Sequence, residues 1–578
     1  MSELVDASPA VDYEIDQGGS IGEPERFEGV NRRTVMGVLP FLAYLILVML
    51  FFGYAIAFHF STTVIGLPGD TGGFVWFLRW WPRALLSGND PFFSGYIWYP
   101  VGQDLVWNTS VPFLSFASYP LSLVLSPIVQ YNVVLVFVLA LDAWYGYRLL
   151  RRMNAKFWVS WSVGWLVPFS SYVVGQSQGH LDLITLFPLF GVVFAIQDLL
   201  SEMRRWDYAW ARFFLWSTIS LYTSIELSID LGVVFIVAGM YYLNRIRREA
   251  ILERLAALRA AVVYMAAAVS LVGVLLLVFA VLKRFVSVSF NVPDYYSADL
   301  LNYLSPTVVQ GMFGNSLTLS ARFLGNASEN GAFLAAPSFV AIYLYIRGAK
   351  RDINKLLFGT VGIVAVILSF GPYLTILGTR ILPMPWYLFS DIPVVRDTLP
   401  VRLAVFVLPV VLVAWGYVLT QTKRKLFWYV LLLVTLVIQG PYFGGGFWSF
   451  TPGIPRLFTT SAYRSTFHSG SVVMFANSWV VNGQSSIAQA DTNFYFKMIG
   501  FEAASNELLQ EPSLLLPQVV NTGIPQEVGT FRSDLNRLGA QFYVVPVSSY
   551  IAHKTFYKNF DLRMTDGIYV AKRPSKGW

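Results

Sequence analysis

The sequence contains no cysteine and only four histidines among its 578 residues. Without cysteine, disulfide bonds and thiolate metal sites are excluded. A zinc site of three histidines would need nearly all of the four, which come from distant regions of the chain. No P-loop, dinucleotide-binding glycine pattern, HExxH pair or GxSxG elbow is present. Any chemistry must therefore be carried by carboxylates, with arginine, tyrosine and tryptophan as helpers.

Charged residues are also scarce. They make up 13% of the chain, whereas soluble domains carry about 25%. Hydrophobic residues reach 55%, and the mean hydropathy is +0.55. Apolar runs near the length of about 20 residues that crosses a bilayer recur along the chain, where a β-barrel would show alternating segments of about 10 residues. The composition predicts a polytopic α-helical membrane protein.

The positions of lysine and arginine predict how these spans are oriented in the membrane. The net charge of +7 does not indicate nucleic-acid binding, because lysine and arginine form short clusters beside apolar spans. Arg32 and Arg33 precede the first span, at about 36–60, and place the N-terminus in the cytoplasm. Prolines interrupt the segment 111–128, which is therefore interpreted as re-entrant or surface-lying. The basic clusters then alternate over about 11 crossings, with the C-terminus outside.

Composition divides the chain into three parts. They are a disordered acidic cytoplasmic tail (1–35), a transmembrane domain (36–444) whose first extracytoplasmic loop covers 61–130, and an extracytoplasmic C-terminal domain (445–578). The last part shows polar alternation and short β-like runs at 541–545 and 567–570. We expect it to be a small α/β or β-rich domain.

Clusters of polar residues all fall on the outer side in this topology. They are Asp70 and Asp104; His180 and Asp182; Glu226 and Asp230; Asp294, Asp299 and Glu329; and Arg396, Asp397 and Arg402. A transporter would place its ionisable groups near the middle of the membrane, in spans broken symmetrically in two repeats. The sequence shows no such repeat, so the polar clusters favour a site at the outer surface.

Several motifs carry a resemblance to a known superfamily. They are GND-PFF-x5-YP-x-G-x5-NTS (88–110), GQ-x2-GHLDL (175–183), SADLLNYLSP (297–306), SFGPYL (369–374) and MPWYLFSDIPVVRDTLPVRLAVF (384–406). Together with an aspartate shortly after the first span, they resemble the GT-C superfamily of membrane glycosyltransferases. More narrowly, they resemble a large bacterial family of uncharacterised GT-C-like proteins, over about residues 40–450.

The resemblance implies a glycosyltransferase of the bacterial cytoplasmic membrane. It would use a polyprenyl-phosphate sugar donor and a glycan, lipid or protein acceptor at the outer face. The sequence itself shows no required cofactor, and a divalent metal ion stays open as an alternative. The superfamily's first-loop aspartate acts as general base or orients the acceptor, and here that position is Asp70. Many relatives carry a pair of adjacent acids there, whereas this chain has Gly69 and Thr71 beside Asp70.

Other residues are candidates for the substrate site. We expect Arg396 and Arg402 to bind the donor phosphate, because arginine matches phosphate with two parallel hydrogen bonds. The remaining candidates to contact substrate are Asp104, His180, Asp182, Glu329 and the aromatic Trp76. Structural interpretations compete with these: Asp70 and His180 could cap helices, Arg396 and Arg402 could anchor a helix end, and Trp76 could belong to an interfacial aromatic belt.

Two other functions stay open at this point. The first is a lipid or polysaccharide transporter, or a non-catalytic partner in assembly of the cell envelope. The second is a metal-dependent transferase in which Asp70 holds a divalent ion together with Asp182 or Glu329. The leading prediction is an inverting transferase with Asp70 as its base.

Overall fold

The computed structural model describes most of the chain. The described residues are 26–105, 108, 110–200, 206–243, 294–311, 318–349, 353–390, 398–442, 449–501 and 528–578. Three sequence predictions lie outside them: the acidic tail before residue 26, the basic segment and crossing at 245–283, and the phosphate-binding role of Arg396.

Ten helices form the N-terminal part of the described chain. They are α1 (Arg26–Phe51), α2 (Asp70–Leu86), α3 (Pro112–Ala117), α4 (Tyr119–Ser122), α5 (Pro127–Arg152), α6 (Phe157–Gly164), α7 (Ser171–Gln176), α8 (Phe187–Leu200), α9 (Trp206–Leu221) and α10 (Ile225–Leu243). The first of them begins at Arg26 and ends at Phe51, earlier at both ends than the predicted span. The proline-rich segment 111–128 contains two short helices and the start of α5.

Further α-helices follow α10, and 3-10 helices lie between the α-helices. The α-helices are Ala336–Gly348, Ile353–Ser369, Leu408–Gln421 and Lys425–Gln439, and the 3-10 helices are Tyr54–Ile56, Leu300–Tyr303, Thr318–Arg322, Pro385–Phe389 and Pro400–Val407. Short two-stranded pairings join β1 (Val64–Ile65) to β6 (Ser449–Phe450), β2 (Phe93–Ser94) to β3 (Gln103–Asp104), and β4 (Tyr373–Ile376) to β5 (Thr379–Pro383).

Two of the described helical stretches are long and apolar enough to cross a membrane, Pro127–Arg152 and Pro400–Gln421. Shorter apolar helices are Gly37–Phe51, Phe187–Leu200, Asn354–Ser369 and Lys425–Gln439. The count of about 11 crossings, which came from basic clusters, stays a prediction. The long helix α5 begins at Pro127, inside the segment 111–128 that was interpreted as re-entrant or surface-lying. Ser126 accepts a hydrogen bond from the Val129 amide there, and Pro127 occupies the first turn.

Asp142 joins α5 to α8. Its carboxylate is fully buried in the middle of α5 and accepts hydrogen bonds from the backbone amides of Leu186, at 3.1 and 3.2 Å, and Phe187, at 2.6 Å. Those amides belong to the N-terminus of α8, which has free N–H groups and a favourable dipole for a negative charge. A residue in the middle of α5 therefore caps α8.

We expect Asp142→Ala to destabilise the protein by about 1–3 kcal/mol, because it leaves the buried Phe187 N–H without its acceptor and the Leu186 N–H with only the carbonyl of Ile184, at 3.1 Å. Asp142→Asn keeps an acceptor oxygen and should cost less. Thermal denaturation of both variants in detergent measures the difference. Equal melting temperatures for Asp142→Ala and the wild type would show that the cap contributes nothing.

The C-terminal part is an α/β unit with a mixed five-stranded sheet. Its strand order is β10-β11-β9-β7-β8, from the strands Val472–Phe475 (β7), Lys497–Ile499 (β8), Phe542–Val545 (β9), Arg563–Thr565 (β10) and Ile568–Lys572 (β11). Its helices are Arg456–Thr459, Tyr463–Thr466, Asn477–Val481, Gln484–Asp491, Val528–Arg537, Val547–Ala552 and Lys554–Tyr557. The β-like runs at 541–545 and 567–570 are both strands, to within a residue or two at their ends.

This unit packs tightly on α2. A Cβ atom at Gly72 would clash with the backbone of Gly483, and one at Gly483 would lie 2.6 Å from the carbonyl oxygen of Gly69. Trp76 is fully buried at the same contact, where its Nε1 donates to Gln489 Oε1 at 2.5 Å. The helix that begins at Asp70 is therefore held from one side by the C-terminal unit.

Candidate active site

Asp70 is the first residue of α2, but it does not cap that helix. The capping position is held by Gly69, which has no side chain to offer. The Asp70 carboxylate instead contacts His180, with 3.2 Å between Oδ2 and Nε2. The Asp70 side chain is 56% exposed and that of His180 is mostly buried. One face of the carboxylate is therefore fixed by the protein while the other is open to an incoming group.

His180 reaches Asp70 because the motif at 175–183 passes close to the start of α2. The amide of Leu67 donates to the carbonyl of Gln178 at 2.5 Å. A Cβ atom at Gly179 would lie 3.2 Å from the hydroxyl of Thr71, so glycine permits this close approach. The other ring nitrogen of His180, Nδ1, is buried and points away from Asp70 with no hydrogen-bond partner among the described residues.

A buried ion-pair network lies behind this pair. Arg402 donates from Nε and Nη2 to the two carboxylate oxygens of Glu329, at 2.8 and 2.5 Å, and from Nη1 to Glu226. Gln176 Nε2 donates to Glu329 at 2.8 Å, and the other oxygen of Glu226 accepts from the Leu399 amide at 2.9 Å. The network therefore links α7, α10, the loop before Ala336 and the start of the span Pro400–Gln421.

Gln176 connects this network to the pair formed by Asp70 and His180. It lies one helical turn before His180, and its backbone carbonyl accepts a hydrogen bond from the His180 amide at 2.9 Å. Its side chain meanwhile holds Glu329. The loop that carries His180 is thus fixed by a buried charge network at one end and by α2 at the other.

The charges shift the pKa values of the surrounding groups in opposite directions. The hydrogen bond from His180 lowers the pKa of Asp70. Burial disfavours protonated His180, but Asp70 and Glu329 outweigh it and raise the pKa of the imidazole. Burial also disfavours ionised Glu329, yet the Arg402 guanidinium lowers its pKa to about 2. Asp70 and Glu329 are therefore ionised at neutral pH.

The pKa of Asp182 is shifted in the other direction, because its surroundings offset the cost of burying its charge less well. It is buried and accepts one hydrogen bond, from the Ser224 hydroxyl at 3.2 Å. Burial raises its pKa to about 7, although His180 and Arg402 favour the ionised form. The charge of His180 thus acts on Asp182, while the hydrogen bond of the Asp182 carboxylate is with Ser224.

Comparisons with known proteins agree with this architecture. No protein-family model matches the sequence, and no curated protein matches it. Among solved structures, the arabinofuranosyltransferase AftD from Mycobacteria matches with a TM-score of 0.57 at 13% identity, over 94% of this chain. ArnT from Cupriavidus metallidurans, bound to undecaprenyl phosphate, matches with a TM-score of 0.47 at 14% identity, over 93% of this chain and 98% of that chain. Both are GT-C membrane glycosyltransferases.

The chain has the GT-C fold. The match to AftD carries this assignment, and it confirms the resemblance seen in the sequence motifs. This chain covers 40% of AftD, so the likeness extends to less than half of that protein. At 13% identity it concerns the fold, a polytopic membrane domain followed by a C-terminal domain, and leaves donor and acceptor to be inferred from the site.

Within the GT-C fold, the predicted site residues fall into two groups. Asp70, His180, Asp182, Glu329 and Arg402 converge, as their hydrogen bonds and mutual charge effects show. Asp104 lies on the hairpin of β2 and β3, opposite Phe93. Trp76 is covered by Trp80, Phe494 and Phe501 and is fully buried, so it packs the contact with the C-terminal unit where stacking on substrate was expected.

Arg402 has a different place from the predicted one. We expected it to bind the donor phosphate, but its Nε, Nη1 and Nη2 atoms all donate to Glu226 and Glu329. The positive charge of the guanidinium is neutralised by two carboxylates, and its three nitrogen atoms already donate to them, so it is poorly suited to bind a phosphate. Its position makes it the centre of the network that supports the site.

Sequence reasoning gave Gln176 no role and named Glu226 only as a member of a polar cluster with Asp230. The signal for Gln176 was present, since it begins the glutamine-histidine spacing of the motif at 175–183. For Glu226, position in the sequence carried no sign of its partner 176 residues away. In the part of the chain that the structure describes, no group of three or more histidine, aspartate or glutamate side chains is placed to hold a metal ion.

Proposed function

We propose that this protein is a membrane glycosyltransferase that moves a sugar from a polyprenyl-phosphate donor to a hydroxyl group of a glycan, lipid or protein acceptor. The reaction would take place at the outer face of the cytoplasmic membrane, with Asp70 as general base. One observation carries the proposal: a GT-C fold presents an ionised, half-exposed carboxylate that His180 holds in place.

The chemistry suits one such carboxylate. Asp70 would take the proton of the acceptor hydroxyl while the acceptor oxygen bonds to the anomeric carbon. The bond from that carbon to the phosphate oxygen breaks, and its electron pair leaves with the polyprenyl phosphate. Because phosphate is already a good leaving group, no second carboxyl group is needed to protonate it, unlike in glycoside hydrolysis. Direct displacement by the acceptor would invert the anomeric configuration.

An apolar groove supports the lipid part of the proposal. Its volume is ≈ 490 Å³, and its lining includes Leu47, Phe51, Trp165, Phe169, Leu433 and Val437. These residues come from α1, from the turn before α7 and from the helix Lys425–Gln439, so the groove lies among membrane helices. It offers a hydrocarbon chain apolar surface and few polar groups.

The test is transfer of a labelled sugar by the purified protein in detergent or vesicles. We expect product with a polyprenyl-phosphate sugar and none with the same sugar phosphate lacking the lipid. Transfer that survives chelation of divalent ions would remove the metal-dependent variant. Movement of labelled lipid across sealed vesicles without any transfer would contradict the proposal and favour a transporter.

Transfer activity should increase as pH rises through the pKa of His180. The protonated imidazole lowers the pKa of Asp70 and so weakens it as a base. Since the pKa of His180 is raised above its usual value of about 6.5, the increase should fall on the alkaline side of that value. A kcat profile between about pH 5 and 8 measures it.

His180→Gln tests the origin of this pH dependence. The glutamine amide can still donate to Asp70 but does not titrate, so the rise in kcat should disappear while the variant stays folded. His553→Gln is the matched control, because His553 is exposed in the C-terminal unit and should keep the wild-type profile. An unchanged profile in His180→Gln would assign the titration to another group.

A further inference from the structure

An exposed apolar hairpin is hydrogen-bonded to the loop that carries Asp299. It consists of β4 and β5, which pair antiparallel through a tight turn at Leu377 and Gly378, and it is followed by the 3-10 helix Pro385–Phe389. All residues of β5 are exposed, including Ile381 and Leu382. Tyr387 and Leu388 are exposed as well, and Leu388 reaches 77%. Four large apolar side chains thus face outward from one small element.

The chain on both sides fixes where this element lies. The apolar helix Asn354–Ser369 ends just before β4, and the span Pro400–Gln421 begins shortly after the 3-10 helix. A segment between two membrane helices emerges at the membrane boundary. Trp386, between the exposed side chains, is fully buried, and the amide of Met384 donates to the carbonyl of Pro372 at 2.9 Å. The hairpin is therefore anchored to the membrane domain while its apolar side chains remain uncovered.

Its polar residues suit a lipid headgroup region. Arg380 is half exposed, pairs with Asp294 at 2.9 Å and lies over the ring of Tyr373, 5.3 Å from its centroid. Arginine and tyrosine beside exposed aliphatic side chains are typical of the membrane interface, where an apolar body meets a polar tip. A surface facing water would leave these aliphatic groups hydrated, which is unfavourable.

We propose that the hairpin Tyr373–Pro383 and the 3-10 helix Pro385–Phe389 insert into the membrane interface. Ile381, Leu382, Tyr387 and Leu388 contact the outermost acyl carbons, and Arg380 lies among the headgroups.

This contact would also set the depth of the site. The Gly378 amide donates to Asp299 at 2.9 Å, and the Val401 amide, next to Arg402, donates to the carbonyl of Tyr296 at 3.1 Å. These bonds tie the hairpin and the ion-pair network to the same loop, which carries Tyr296 and Asp299. If the proposed function holds, a lipid-linked donor could then reach the site by lateral diffusion.

The absence of cysteine makes a direct test simple. Leu388→Cys and Ile381→Cys are labelled with a fluorophore in vesicles that contain lipid brominated either near the headgroup or near the chain end. Leu433→Cys, 61% exposed on the membrane helix Lys425–Gln439, is the control for deep contact. Ile551→Cys, 69% exposed in the C-terminal unit, is the control for water.

We expect both hairpin positions to lose most fluorescence with lipid brominated near the headgroup. Leu433→Cys should respond most to bromine near the chain end, and Ile551→Cys to neither. Hairpin labels that behave like Ile551 would overturn the proposal, and so would labels that follow Leu433. The measurement needs no enzymatic activity, so its outcome is independent of whether the protein transfers sugars.

Discussion

Asp70→Asn should lower kcat for sugar transfer by about 10²–10⁴-fold, the range that a general base contributes. Asparagine has nearly the same shape, and its amide can still contact His180, but it cannot accept the acceptor's proton. The half-exposed position of Asp70 means that folding should be unaffected. Initial rates with saturating donor and acceptor, together with thermal denaturation in detergent, separate the two effects.

Asp90→Asn is the matched control in the same loop. Asp90 is exposed, and its carboxylate accepts a hydrogen bond from the amide of Phe92 at 2.9 Å, as a turn residue does. This variant should keep wild-type kcat. Full activity in Asp70→Asn would show that Asp70 is not the base. Equal losses of activity in both variants would indicate that the negative charge of the loop matters and the particular position of Asp70 does not.

The sequence was informative where chemistry is local. Asp70 follows the first span, and His180 belongs to a short motif, so each could be chosen without the structure. Their contact could not be predicted, because 110 residues separate them and only tertiary packing brings the two loops together. The same limit applied to Arg402, since a motif shows that an arginine is present but gives no sign of which carboxylates surround it.

Burial was the second quantity that the sequence left open. Trp76 on an amphipathic helix fits a membrane interface and a protein core equally well, because both require an apolar face. The neighbour that decides is Gln489, which lies 413 residues further along the chain. Secondary structure was easier to predict from the sequence. The prolines in 111–128 and the β-like runs in the C-terminal part determine it through local backbone preferences.

The second large effect should come from Arg402→Met, which removes the only cation in the described ion-pair network and leaves Glu226 and Glu329 buried together. Breaking a buried pair by removing one partner costs about 3–5 kcal/mol, because a charge is left uncompensated. The two carboxyl groups can reduce this cost only by taking up protons. The drop in melting temperature should therefore be larger at pH 8 than at pH 5.

The sign follows from Glu329. In the wild type its pKa is lowered to about 2, so its ion pair stabilises the fold above the usual pKa of a glutamate and loses this effect in acid. Without Arg402, burial is the largest remaining effect on Glu329, opposed only by the smaller effects of His180 and Gln176, and it favours the protonated form, so stability is lost as pH rises. The contribution of Glu329 to stability should thus depend on pH in opposite directions in the wild type and in the variant.

Two further variants separate lost charge from lost packing. Arg563→Met breaks an ion pair of 3.0 Å with Asp561 that is exposed on both sides, and it should leave the melting temperature unchanged. The double variant Glu329→Gln with Arg402→Met removes one of the two stranded charges, so it should be more stable than Arg402→Met alone. If the double variant were instead less stable, or if Arg402→Met melted like the wild type, the network would not be the support that its hydrogen bonds indicate.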